Sequence, residues 1–217
     1  GVIRNTNFTK DGNLDDTDIV FLDVEQSQFA KRKLKYGDII LEKSGGGPKQ
    51  PVGRVVLFNK EEGDFSYSNF TSCIRVLDTR KVGFKYLHKF LFFIYISGAT
   101  EVMQSNSTGI RNLKFDDYKN IKVPLPPLLE QQEIVSIIEI LCRYRLDLKR
   151  HEIGLRKHEI LLPPDLEWFS KSVERLKNRT PVQHITGETE FFELPLKVGP
   201  EALIPRPETE ELVKWIL

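Results

Sequence analysis

The spacing of apolar residues changes along the chain and divides it into three segments. Up to about residue 124, short apolar or alternating runs stand between turn residues; they are DIVFLDV, DIILEK, GRVVLF and SCIRVL. Such runs are typical of β-strands. Residues 84–98, FKYLHKFLFFIYISG, instead have apolar positions three and four apart and end in a glycine, which predicts a helix. The first segment is therefore predicted to be mostly β-structure with one helix.

The apolar period becomes helical after a proline-rich bend that ends at Pro127. The positions that recur by three and four are Ile134, Ile137, Leu141, Tyr144, Leu148, His151, Leu155, His158 and Leu162. This heptad seam predicts one long helix of the coiled-coil type over residues 125–162. Residues 166–176 are too few to cover the seam, so we expect it to pair with another chain or with a second copy. Histidines within the seam indicate either a frayed end of the coil or a pH-sensitive point.

The third segment, residues 163–217, has the pattern of a small helix-hairpin-helix tail. Two prolines, Pro163 and Pro164, end the long helix, and Asp165 can cap a short amphipathic one. HITGETEFFELPLKVG has a glycine between two apolar strand-like runs, which predicts a hairpin, and LIPRPETEELVKWIL begins another helix. The predicted fold class is α+β: a mixed, β-rich domain with a helix over residues 1–124, the long helix over 125–162, and this tail.

Composition changes this picture mainly through the distribution of charge. The formal net charge is only +1, yet basic residues cluster between residues 31 and 60; they are Lys31, Arg32, Lys33, Lys35, Lys43, Lys49, Arg54 and Lys60. A basic patch is therefore expected. The longest apolar run, residues 90–96, is far shorter than the roughly 20 residues that span a bilayer, so we expect a cytoplasmic protein without membrane contact. Cys73 and Cys142 lack metal-ligand spacing, and no metal site is predicted.

The glycine-rich stretch LEKSGGGPKQPVGR is the first candidate for a binding loop. Glycines let another backbone approach closely, Lys43, Lys49 and Arg54 can contact phosphates, and the amide of Gln50 can pair with a base edge. The stretch lacks the residue order of a P-loop and of a dinucleotide fingerprint. A solvated loop with an ordinary charged rim is the alternative interpretation.

The order of motifs over residues 1–150 resembles the target recognition domain and conserved helix of type I restriction-modification specificity subunits. The resemblance is carried by KLKYGDIILEKSGGG with VGRVVLF, by YSNFTSCIRV, and above all by STGIRNLKFDDYKNIKVPLPPLLEQQEIVSIIEIL. It implies a non-catalytic subunit that recognises double-stranded DNA, while separate methyltransferase (modification) and restriction subunits methylate and cleave it. It also implies a second specificity half, or a homodimer, as the partner of the Ile134 to Leu162 seam.

Within this resemblance, polar residues of several loops are candidates for DNA contact. Lys43, Lys49 and Arg54 would position phosphates, and Gln50, Asn69 and Arg111 would contact base edges. STGIRNL combines Thr108 and a conformationally permissive glycine with Arg111, whose forked guanidinium can bind a phosphate. No catalytic residue and no cofactor of its own are expected; S-adenosylmethionine would be used only by the partner subunits.

Residues 175–217, RLKNRTPVQHITGETEFFELPLKVGPEALIPRPETEELVKWIL, resemble a fragment of the release-factor glutamine methyltransferase family. The resemblance implies that Arg206, Glu208 and Thr209 would lie beside an S-adenosylmethionine pocket; His184 departs from the tyrosine expected there. The family's glycine-rich cofactor loop and Asn-Pro-Pro-Tyr loop are absent from these 217 residues. The alternative function is thus a truncated, inactive glutamine methyltransferase. A junction of the two families near residues 150–160 indicates a gene fusion, a frame error or a fragmentary sequence.

Overall fold

The computed structural model describes residues 1–9, 12–46, 51–107, 110–146 and 163–216. Within them the helices are Gln26–Arg32 (α1), Phe84–Ile96 (α2), Phe115–Lys119 (α3), Leu128–Arg145 (α4), Pro163–Lys177 (α5), Val182–Thr186 (α6) and Pro207–Ile216 (α7). The strands are Val2–Ile3 (β1), Ile39–Glu42 (β2), Ser44–Gly46 (β3), Val55–Leu57 (β4), Ser66–Tyr67 (β5), Thr71–Ile74 (β6), Gln104–Ser107 (β7), Ile110–Leu113 (β8), Glu188–Phe191 (β9) and Leu194–Lys197 (β10). The α+β class is confirmed.

The chain forms two compact units, residues 1–136 and 137–217, which we call the N-terminal unit and the C-terminal unit. The division lies inside α4, not at residues 124/125, where the apolar pattern changes. Helix α4 begins at Leu128, directly after the prolines, and the structure describes it to Arg145. The rest of the predicted long helix, residues 147–162, lies outside the described residues.

The core of the N-terminal unit is organised by β2, the central strand of a three-stranded antiparallel sheet in the order β4-β2-β6. Side chains alternate between the faces of a strand. Ile39 and Leu41 pack in one cluster with Val55 and Leu91, whereas Ile40 packs in another. Both faces of β2 are therefore covered, which explains its uninterrupted apolar run.

The second cluster draws on the N-terminal end of the chain. Ile40 packs there with Ile3, Phe8 and Phe58, all of them buried. Strand β1 brings Ile3 to this cluster by pairing in parallel with β5. The first residues of the chain are thus part of the N-terminal core.

One predicted strand is wrong. Residues 18–24, DIVFLDV, form no strand apart from an isolated bridge between Val2 and Val20. Phe21, Leu22 and Val24 are exposed by 73%, 61% and 48%. An apolar run forms a strand only where a neighbouring strand accepts its hydrogen bonds and a core covers its apolar side chains, and beyond Val20 this segment has neither.

The first part of the heptad seam packs inside the C-terminal unit, contrary to the expectation that only another chain could cover it. Leu141 is buried with Val182 and Ile185 of α6. The cluster is completed by Ile137, Ile140, Trp168, Phe169 and Leu176. Helix α6, which the prediction had not included, adds the apolar surface that α5 alone lacks. The seam positions from Leu148 to Leu162, including His151 and His158, lie outside the described residues.

The remainder of the C-terminal unit is a β9-β10 hairpin followed by α7. Gly187 ends α6 in the left-handed conformation, with a φ of 76°, and so turns the chain into β9. The hairpin pairs in register from Leu194 opposite Phe191 to Lys197 opposite Glu188. No described helix has the length and apolar character required to cross a membrane.

Candidate nucleic-acid interface

A small three-stranded sheet, in the order β3-β8-β7, joins two of the candidate DNA-contacting segments. Strand β3 belongs to the glycine-rich stretch and β8 to STGIRNL. Ser44 lies opposite Asn112 and donates a hydrogen bond from its hydroxyl to the Asn112 amide oxygen at 2.5 Å. Gly46 lies opposite Arg111. Strand pairing therefore brings together loops that are more than 60 residues apart in sequence.

Gly45 makes this pairing possible. The register shifts between Ser44 and Gly46, and the intervening Gly45 has a φ of +106°, a conformation that side-chain-bearing residues rarely adopt. A Cβ atom at Gly45 would also come within 2.8 Å of the Asn5 amide nitrogen. The backbone conformation therefore favours a glycine at this bulge, and a side chain here would also displace the Asn5 amide.

The turn that carries Asn69 lies against the same strand. The backbone N–H groups of Lys43 and Ser44 both donate to the carbonyl oxygen of Phe70, at 3.0 and 3.2 Å. Asn69 is exposed on this turn, and 51% of the surface of Phe70 is exposed. The third candidate segment thus adjoins the first two.

Gln104 of β7 fixes the far end of the glycine-rich stretch. Its amide nitrogen donates to the carbonyl oxygens of Val52 and Thr100, both at 3.1 Å, and its amide oxygen accepts from the N–H of Val52 at 3.3 Å. The contact between Gln104 and Val52 joins residues that are distant in sequence, and no local sequence pattern indicates it.

The predicted contact residues have different positions in this arrangement. Lys43 is half-buried and forms no ion pair with another described residue. Arg111 is half-buried on β8, and Asn69 is exposed. Lys49, Gln50 and Thr108 lie outside the described residues.

The assignment of Arg54 to phosphate contact is wrong. Its side chain is buried, and only 6% of the residue is exposed. The guanidinium donates to both carboxylate oxygens of Glu42, at 2.9 and 3.2 Å, and to the carbonyl oxygens of Phe8 and Asn5. Because Arg54 directly precedes the buried strand β4, its side chain points into the fold and is neutralised there.

The basic cluster between residues 31 and 60 is also less uniform than the sequence indicates. Lys33 pairs with Asp64 at 2.9 Å and Lys60 with Asp16 at 2.6 Å. Acidic residues distant in sequence thus compensate part of the expected positive patch. Among the described residues, Lys31, Arg32, Lys35 and Lys43 form no ion pair.

The Cys73 thiol and the Tyr95 phenol both have raised pKa values. Burial, together with the nearby Asp38 carboxylate, raises the pKa of the Cys73 thiol to about 12. Burial likewise raises the pKa of Tyr95. A thiol that stays protonated at neutral pH is a poor nucleophile and a poor metal ligand. Among the described residues, no group of three or more His, Cys, Asp or Glu side chains could hold a metal ion.

The residues of the C-terminal unit that would adjoin an S-adenosylmethionine pocket form the exposed start of α7. Arg206, Glu208 and Thr209 are all exposed, and the N–H of Thr209 donates to the carbonyl oxygen of Arg206 at 2.9 Å as the helix begins. A cofactor pocket needs convergent polar groups in a concave site. These three residues do not provide one, so they do not fit the cofactor by themselves.

Two family models match the chain, and they overlap. The model of the type I restriction modification DNA specificity domain matches residues 4–154. The model of the PrmC N-terminal domain matches residues 129–187. The second similarity therefore begins within α4, well before residue 175, from which the sequence motifs indicate it. Residues 129–154 are matched by both models.

Curated relatives match through the second similarity. A release factor glutamine methyltransferase of Flavobacterium psychrophilum is 40% identical over 93 residues, covering 43% of this chain and 33% of the relative. That of Coxiella burnetii is 54% identical over 49 residues, covering 23% of this chain and 18% of the relative. The human MTRF1L release factor glutamine methyltransferase is 38% identical over 76 residues, covering 31% of this chain and 22% of the relative. The chain thus spans a third or less of these relatives.

The coverage of the two similarities differs. The methyltransferase relatives are matched only in part, whereas the specificity-domain model extends over more than half of the 217 residues and includes every segment of the β3-β8-β7 sheet. The chain therefore belongs to the family of type I restriction modification DNA specificity domains.

Proposed function

We propose that this protein recognises double-stranded DNA as part of the specificity subunit of a type I restriction-modification system. The observation that carries the proposal is the convergence of the glycine-rich stretch, the turn of Asn69 and the β7-β8 hairpin at one small sheet. Recognition of a duplex combines phosphate contacts, which position the protein, with base contacts, which specify the sequence. Neighbouring segments at this sheet offer candidates for both kinds of contact. The family match supports the same function.

The proposed roles follow from the chemistry of the side chains at this sheet. Lys43 would contact phosphate, and Asn69 and Arg111 would contact base edges from neighbouring segments. Lys49, Gln50 and Thr108, which lie outside the described residues, stay predictions. Arg54 has no direct role in DNA contact.

We further propose that the protein has no catalytic activity and no cofactor of its own. Methyltransferase and restriction subunits would carry out methylation and cleavage, and S-adenosylmethionine would bind to the modification subunit. Pairing with a second specificity half, or with a second copy, stays a prediction for the seam beyond Arg145. Cytoplasmic placement also stays a prediction.

Binding of the 217-residue chain to labelled duplexes of varied sequence, measured by fluorescence anisotropy at several salt concentrations, tests this function. We expect Lys43→Ala to weaken binding to all duplexes alike and to lower the slope of log K against log salt by about 1. We expect Arg111→Ala or Asn69→Ala to reduce the preference among duplexes by about 1–3 kcal/mol. Lys85→Ala, at an exposed lysine of α2, is the matched control and should bind like the wild type. Absence of duplex binding at low salt would overturn the proposal.

A truncated glutamine methyltransferase is the second candidate, favoured by the match to the PrmC N-terminal domain and to release factor glutamine methyltransferases. It requires that the chain bind S-adenosylmethionine. We expect titration calorimetry to detect no such binding, because the exposed Arg206, Glu208 and Thr209 form no concave site. Micromolar binding would establish this candidate.

A further inference from the structure

The buried pair of Glu42 and Arg54 lies where the glycine-rich stretch leaves and rejoins the central sheet. The N–H of Glu42 donates to the carbonyl oxygen of Arg54 at 2.8 Å, and the N–H of Gly53 donates to that of Glu42 at 2.9 Å. The side chains connect the same two positions again, through the two hydrogen bonds from the guanidinium to the carboxylate. The described ends of the glycine-rich stretch, residues 43–46 and 51–53, are therefore joined at their base by both backbone and side-chain hydrogen bonds.

The same pair holds the N-terminal segment of the chain against this base. The guanidinium donates to the carbonyl oxygens of Phe8 at 2.8 Å and Asn5 at 3.2 Å, and its central carbon lies 5.7 Å from the centre of the Phe8 ring. The amide of Asn5 donates in turn to Glu42 at 3.3 Å. That amide is also the group that a Cβ atom at Gly45 would meet. One hydrogen-bonded network thus connects residues 5–8, the base of the stretch and its bulge.

Stability alone is a weak explanation for this network. Replacing a buried ion pair by apolar side chains of similar volume is often neutral or stabilising, because the desolvation of two charges offsets their attraction. A bidentate arginine pair does, however, fix geometry, since its donors lie in one rigid plane. Arg54 uses that plane to hold the Glu42 carboxylate and the backbone carbonyl groups of Asn5 and Phe8 at defined distances.

We propose that Arg54 and Glu42 are positioning residues for DNA recognition: they hold the described ends of the glycine-rich stretch, residues 43–46 and 51–53, in the arrangement that distinguishes one duplex sequence from another. The inference rests on the proposed function. The pair is neutral overall and buried, so it contributes no contact to phosphate. Its loss should therefore reduce discrimination between sequences and leave the electrostatic part of binding unchanged.

The test compares the wild type with the double variant Glu42→Leu/Arg54→Met, which removes both charges together. The measurements are the ratio of Kd values for a scrambled and a preferred duplex, and the slope of log K against log salt. We expect the ratio to fall at least tenfold while the slope and the circular dichroism spectrum stay as in the wild type. The matched control is Lys33→Met/Asp64→Asn, which removes an exposed ion pair of the same unit and should leave the ratio unchanged.

Asn5→Ala is a second variant that does not disturb the ion pair itself and serves if the double variant fails to fold. It removes the one side-chain hydrogen bond of Asn5 to Glu42, and we expect the ratio to fall about threefold. An unchanged ratio in a folded double variant, or in Asn5→Ala, overturns this inference alone. A wild type that binds no duplex, or binds all duplexes equally, overturns the proposed function and this inference together.

Discussion

The N-terminal and C-terminal units both resemble known families, yet their described residues differ in how much apolar surface they bury. In the N-terminal unit, the apolar residues of β2 are fully buried and both faces of its sheet are covered. In the C-terminal unit, the cluster of buried apolar residues consists of Leu141, Val182 and Ile185. Similarity to a family motif therefore does not indicate that the motif is packed as a complete domain would pack it.

The contrast is greatest at the end of the chain. LIPRPETE belongs to the segment whose sequence resembles the glutamine methyltransferases, yet Leu203 is 97% exposed and Trp215 of the following helix is 88% exposed. Phe191 and Phe192 are half-buried, with ring centres 5.2 Å apart. Exposed apolar surface of this kind favours association with another surface.

The largest effect on the free energy of unfolding is expected from Phe58→Ala in the N-terminal core. Phe58 is 2% exposed, and its ring lies edge-on to Phe65 at 5.5 Å. Deleting a buried phenylalanine leaves a cavity, and we expect the free energy of unfolding to fall by about 3–5 kcal/mol. Urea denaturation followed by circular dichroism measures the change. Phe93→Ala, at a phenylalanine of α2 that is 59% exposed, is the matched control. Equal losses for the two variants would contradict the core described for this unit.

A smaller effect is expected from Leu141→Ala, because the cluster around it is smaller and can partly collapse. We expect the free energy of unfolding of the C-terminal unit to fall by about 2–3 kcal/mol. The chain has two tryptophans, Trp168 and Trp215, and both lie in this unit, so urea denaturation followed by tryptophan fluorescence reports on it. Trp168 packs directly against this cluster.

Leu141→Ala also tests whether helices of the same chain cover the seam. An unchanged fluorescence transition, accompanied by weaker self-association in sedimentation, would indicate that Leu141 pairs with another molecule. In that case the prediction of pairing in trans would apply to this part of the seam as well.

Elements with a local signal could be predicted from the sequence. The three-and-four spacing in residues 84–98 gives α2 nearly to the residue, since Phe84–Ile96 is the helix. The apolar runs of β2 and β4 likewise identify the central sheet. In each case the period of the pattern matches that of the element, and the neighbours in sequence determine the outcome.

The errors concern contacts between residues distant in sequence. Arg54 looks like a surface cation, but its burial depends on Glu42 and on carbonyl groups of Asn5 and Phe8, which only the folded chain brings together. The pairing of β3 with β8 likewise has no local signal. Residues 18–24 have a strand pattern but no partner strand. Composition pointed to the segments of the proposed interface, whereas long-range pairing determines which side chains within them face solvent.

The smallest effect on the free energy of unfolding is expected from Trp215→Ala, which removes a large apolar side chain from the exposed surface of the C-terminal unit. Because Trp215 is 88% exposed, its removal should alter the free energy of unfolding by less than about 0.5 kcal/mol. Iodide should quench Trp215 in the native protein much more than Trp168, which is half-buried against Tyr144 at 5.7 Å. Comparison of quenching in Trp215→Ala and the wild type separates the two contributions. A loss of 2 kcal/mol or more, or weak quenching of Trp215, would mean that another surface covers α7 in solution. The C-terminal unit would then have a more complete core than its own residues provide, and the contrast between the two units would disappear.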